Sequence, residues 1–155
     1  MRELLTRLLQ GDSAAVELCL LVFDWWNHYD HLIDRDLPAE FVDDAIHDAM
    51  WKVSVEMPAN PFYQRHQHEL SVSIANAIST WKASVALQRA GGPKELELAH
   101  VLRWVPAEFF LHCARLVGGR AWADSVAPWF WVQMTKDHSF AEFVSESRGT
   151  HGLGT

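Results

Sequence analysis

Glu17, Asp24, His28 and His31 fall within about 60° of one another at the roughly 100° per residue of an α-helix. They draw a line of acids and imidazoles through a segment otherwise made of Leu, Val, Phe, Trp and Ala, with Asn27 and Asp34 at its flanks. Carboxylates and imidazoles a turn apart are the material of metal sites in helical bundles, because each helix can present ligands to a shared ion. No lysine or arginine lies between Arg7 and Arg35, so the stripe has no i,i+4 cation on its own helix. Asp24, His28, His31 and Asp34 are therefore expected to ligate a divalent metal such as Mg, Mn, Fe or Zn. Magnesium would weight the carboxylates and a transition metal the imidazoles. The alternative is a stripe that faces water or is answered by basic side chains from elsewhere in the fold, with Arg65, Lys82, Arg103 and Arg115 as candidate partners.

The next helical segment repeats the chemistry with Asp43, Asp44, His47 and Asp48, and no cation follows until Lys52. Asp44 and His47 are added as further candidate ligands, although acids early in a helix are also favoured by its dipole. Glu69, beside Asn76 on a later helix, would complete the same site if that helix packs antiparallel to the first. Tyr29-Asp30-His31-Leu32-Ile33-Asp34 resembles the first aspartate-rich motif, Asp-x-x-x-Asp, of the phytoene and squalene synthase family. In that family the aspartates hold magnesium against a diphosphate. The resemblance covers these six residues; the second aspartate motif lies much farther along in that family, whereas Asp44 and Asp48 follow at once. It implies a shared helical metal-binding solution, and the family's activity is not carried over.

A second constellation is Glu108, His112 and Arg115, whose i, i+4, i+7 spacing puts them on one helix face. Arg115 could clamp an anion while Glu108 orients His112 for proton transfer; a salt-bridge ladder is the competing explanation. Gly-rich phosphate loops, Gly-x-Ser-x-Gly, Cys-x-x-Cys and His-Glu-x-x-His are all absent, so no nucleotide cofactor is indicated. Cys19 and Cys113 sit in apolar runs, where thiols behave as small hydrophobes rather than as a disulfide framework.

The elements that must position these residues are read from apolar spacing and punctuation. A short amphipathic helix ends at Gly11, and Asp12 and Ser13 can cap a second that reaches Asp34. Pro38 opens a third, which stops at Met57-Pro58; each proline of Pro58-Ala59-Asn60-Pro61 is expected to bar helix in the residue before it. A long fourth helix carrying Leu70, Ile74, Ala77, Ile78, Trp81 and Val85 closes at Gly91-Gly92. A fifth starts at Pro93, breaks at Pro106 and terminates at Gly118-Gly119. A Trp-rich sixth follows, and Ser139 to Glu142 form a capping box for a last short helix. Period-two alternation is missing, so strands are not expected. The expected fold is all-α, a compact helical bundle of about six helices, with the second and fourth central. Residues 1–147 would form one domain and residues 148–155 a flexible tail.

Charge distribution narrows the functions open to this bundle. The first 60 residues carry −8 and the remaining 95 carry +1, which disfavours binding nucleic acid through the first part, since phosphates need a basic surface. The N-terminal MRELLTRLLQGD is interrupted by Glu3 and Arg7, and no apolar run could span a bilayer; no membrane partner and a cytoplasmic setting are expected. Eight tryptophans, with Trp25-Trp26 and Trp129-Phe130-Trp131 adjacent, suggest that at least one of each cluster lines a pocket, groove or interface. Two functions are thus expected in competition: a divalent-metal-binding protein, as a hydrolase or transferase with its site in the bundle core, or a non-enzymatic interaction module. The second would form a homo-oligomer or bind a protein partner through aromatic patches.

Overall fold

The computed structural model describes residues 1–34 and 37–151, and these are helical with no strand among them. α1 (Arg2–Leu8) ends in a turn that needs a positive φ at Gly11, and the Asp12 side chain then accepts the Ala15 N–H at 2.9 Å. That bond satisfies one of the donors left over at a helix start and begins α2 (Ser13–Asp34). α3 (Ala39–Trp51) runs back along α2, since Asp48 meets His28 and Lys52 meets Asp24.

α3 does not stop cleanly. It widens into a π-helical turn, Lys52–Glu56, and continues as α4 (Met57–Ala59). Met57 is helical although Pro58 follows it, contrary to the sequence expectation. The Met57 N–H reaches back five residues to the Lys52 carbonyl, and this wider turn makes room for the proline ring. Asn60, before Pro61, is extended as expected; its side chain caps α5 (Pro61–Arg65) and its amide donates to the Ala14 carbonyl at 2.9 Å, tying the connector to α2.

α6 (Gln67–Ala90) closes on left-handed Gly91, and α7 (Pro93–Leu102) follows. The break comes at Arg103–Trp104, ahead of Pro106, which takes the first turn of α8 (Val105–Thr135), where its missing N–H is not needed. α8 is bent at Gly119 (φ 77°, ψ 178°), the point where the sequence suggested a stop. The Ser139/Glu142 capping box forms in both directions, at 2.9 and 3.2 Å, and starts α9 (Phe140–His151). This helix passes Arg148, where the sequence suggested that a tail begins; residues 152–155 lie outside the described residues.

The main core is built from Leu5 and Leu8 of α1, Leu18, Cys19 and Val22 of α2, Phe62, Leu70, and Phe109, Phe110, Cys113 and Phe130 of α8. α2 and α8 are therefore the central pair. α6 adds Leu70 to this core and packs on both α7 and α8, and it reaches α2 through Trp81, whose ring stands 5.0 Å from Tyr29 and 6.4 Å from Trp26. The two thiols are free and buried side by side; burial first, and then the neighbouring Cys113, push the Cys19 thiol well above its ordinary value, so the nucleophilic thiolate is disfavoured. Among the described residues no helix is long and apolar enough to cross a membrane.

Candidate metal centre

The antiparallel α2/α3 hairpin turns two i,i+4 pairs toward each other, Asp24 and His28 on α2 and Asp48 and Lys52 on α3 and its π-helical extension. Asp24, His28 and Asp48 each bring one ligand atom within 4.8 Å of the others. His28 Nδ1 lies 2.8 Å from the Asp24 backbone oxygen. A carbonyl can only accept, so in the neutral ring Nδ1 carries the proton and Nε2 the lone pair. Nε2 points toward Asp48 Oδ2 at 3.5 Å. Two lone-pair bearers that face each other need a proton or another cation between or beside them, and a backbone-oriented imidazole is the usual setting of a metal-ligating histidine.

Lys52 supplies a cation from the chain itself. Its Nζ lies 3.1 Å from Asp24 Oδ2 and also pairs with Asp48 Oδ2. Lys52 is only 12% exposed, whereas the side chains of Asp24, His28 and Asp48 are 54%, 30% and 46% exposed. Burial acts to lower the lysine, but its hydrogen bonds and charge contacts with Asp48 and Asp24 outweigh that and raise it. The hydrogen bond from Lys52 in turn holds the Asp48 carboxyl below its ordinary range.

The signs of these shifts fix a pH window. The lowered Asp48 contributes stability above the ordinary aspartate value of 3.8, and this is lost as pH falls through its folded value. The raised Lys52 contributes below its ordinary 10.5, and this is lost as pH rises through its folded value. The melting-temperature gap between the native chain and Asp48→Asn should accordingly be widest at intermediate pH and close at both extremes. A gap that persisted unchanged into strong acid would contradict the pairing.

The other candidate residues are distributed differently. His31, Asp44 and His47 line an open groove with His28 and Asp48 between α2 and α3. Asp34 is ten residues beyond Asp24, about 15 Å along the helix, and faces Arg103 at 3.4 Å instead. Glu69 does not join α2: it lines a separate cleft between α6 and α8 with Asn76, Glu108 and His112. This follows from the pairing of α2 with α3 and corrects the antiparallel α2/α6 arrangement. In that cleft burial, then Arg115, lower the His112 imidazole, while the Arg115 guanidinium bonds Asp124 at 3.3 Å. The three candidate ligands lie at the surface rather than in the bundle core.

Asp48 and Lys52 complete the group although the first choice of ligands omitted them. Their i,i+4 spacing, the same as that of Asp24 and His28, was the signal that could have selected them. Comparison of the chain with protein-family models, with curated proteins and with solved structures finds no match.

Proposed function

We propose that this chain binds a divalent cation of borderline character, zinc in preference to magnesium, through Asp24, His28 and Asp48, and that the Lys52 ammonium holds the same carboxylates when no metal does. The observation that carries the reading is the convergence of three donor atoms from two helices with Nε2 of His28 as a ready lone pair. One imidazole and two carboxylates suit zinc or its neighbours in the first transition row, whereas magnesium prefers oxygen donors and holds its water. Three protein donors leave a coordination position for water or a substrate oxygen, and a metal there would supply the Lewis acidity that hydrolysis or group transfer uses.

Calorimetric titration of the full chain tests this. Zinc should bind at one site, magnesium should give no comparable heat, and Asp48→Asn or His28→Gln should each weaken zinc by about ten- to hundredfold. Zinc binding of native strength in both variants would overturn the assignment, as would no binding at all.

A second reading, a partner-binding surface, is favoured by a different observation. Of the large apolar side chains that are exposed, Phe41, Ile46, Met50, Trp51 and Val55 all fall on α3 and its π-helical extension. The adjacent tryptophans of the sequence are not such a surface, because Trp26 is buried and Trp25, Trp129 and Trp131 pack against the core.

A further inference from the structure

α3 is loosely packed for its composition. Of its residues only Ala45 is buried, while Phe41, Met50 and Trp51 each leave more than half of their surface exposed. A helix of a globular protein normally turns its large apolar side chains inward, and a contiguous apolar face left outside marks an interaction surface. Phe41, Asp44, Asp48 and Trp51 follow one another at helical spacing and line the open groove that α3 forms with α2. Two exposed aromatic rings and two carboxylates thus share one side of the helix.

Charge selects the occupant. From Ala39 to Glu56 the chain carries five acids, Glu40, Asp43, Asp44, Asp48 and Glu56, against one lysine. Lys52 is engaged by Asp24 and Asp48, and among the described residues no cation pairs with Glu40, Asp43, Asp44 or Glu56. A second copy that met this face with the same face would lay these acids against their equivalents, and like charges at close range repel. Nucleic acid and anionic lipid are repelled in the same way. A basic partner is steered and oriented by the acids while apolar contacts hold it. α3 and its π-helical turn run about 25 Å, enough for four to five turns of a helix laid along them.

We infer that this face of α3 docks a basic amphipathic helix of another protein. The apolar stripe of that helix covers Phe41 and Trp51, and its lysines or arginines meet Asp44 and the neighbouring acids, the recognition mode in which an amphipathic helix lies in an apolar groove. Such docking deepens the partner-binding reading and rests on it, and it needs no metal at His28 or Asp48.

The test measures binding of fluorescent peptides to the full chain by anisotropy, with chelator present. The probe is a leucine and lysine peptide of about 18 residues with leucine at every third or fourth position. One control has glutamate in place of lysine; the other keeps leucine and lysine in an order that scatters leucine around the helix. The probe should bind best, and rising salt should weaken it. Trp51→Ala and Phe41→Ala should each weaken it about tenfold, whereas Val132→Ala, on exposed α8 surface, should not. All three positions are exposed, so melting temperatures should stay near native. Equal binding of the glutamate peptide would overturn the basic occupant and leave the partner surface standing, as would a native dimer in sedimentation that Trp51→Ala disperses. Native probe affinity in both Trp51→Ala and Phe41→Ala, equal binding of the scattered peptide, or no binding of any peptide by a monomeric chain would overturn the partner surface as well.

Discussion

Replacing Lys52 by methionine is expected to raise zinc affinity by roughly ten- to hundredfold, because a unit positive charge beside a dication costs on the order of several kcal/mol at the effective dielectric of a protein surface before screening and side-chain motion reduce it. The lysine touches both carboxylates of the proposed site, so it would be at once a competitor of the metal and a repulsive neighbour. Methionine keeps the length and apolar stem of a side chain that is only 12% exposed and removes the charge. The same change should have the opposite effect without metal. Asp24 and Asp48 then face each other and His28 with no cation, so metal-free Lys52→Met should melt below the native chain near neutral pH, and zinc should reverse that order. Calorimetry and melting curves on the two proteins, each with zinc and with chelator, read both signs. Native zinc affinity in Lys52→Met would show that lysine and metal do not share a place.

Phe110→Ala should have the largest effect on stability. Phe110 is fully buried on α8, with ring centroids 6.1 Å from Phe109 and 6.3 Å from Phe130, inside the core that joins α1, α2 and α8. Truncation removes the ring's burial and leaves a cavity that a close-packed interior closes only in part, at a cost of roughly 3 to 5 kcal/mol. Against a total of about 5 to 15 kcal/mol for a typical domain, that is enough to unfold a marginal one. Val132, 63% exposed on the same helix, provides the comparison, and Val132→Ala should stay within about 0.5 kcal/mol of native. Denaturant unfolding measures both; near-equal losses would mean that α8 is not the centre of the bundle.

Local features of this fold were legible in the chain because they depend on neighbours in sequence. The caps at Asp12 and Ser139, the left-handed closure at Gly91 and the bend at Gly119 all follow from side-chain or backbone chemistry within a few residues. Helical periodicity likewise put Asp24 and His28 on one face. What it could not convey was which helix lies opposite. The acidic stripe of α2 is answered at separate points, Glu17 by Arg2, Asp24 by Lys52 and Asp34 by Arg103. Of these cations only Arg103 was among the expected partners, since the short connection between α2 and α3 brings Lys52 closer than any arginine from α8.

The same limit explains Glu69. Its helix presents a polar line that suits any polar neighbour, and the choice between α2 and α8 is made by packing rather than by spacing. Trp26 is the converse case. Adjacency with Trp25 implied that one of the pair would reach a pocket or an interface, and Trp26 does line a cavity, but the company of Arg103 and His100 arises from the α7/α8 junction and was not visible in the pattern.

An anomalous-difference map at the zinc edge from crystals of the zinc-loaded chain tests the Asp24, His28 and Asp48 site most directly. One strong peak is expected in contact with His28 Nε2 and with a carboxylate oxygen each from Asp24 and Asp48, with Lys52 Nζ moved away from both acids. A peak at other histidines, with the Lys52 contacts intact, would contradict it.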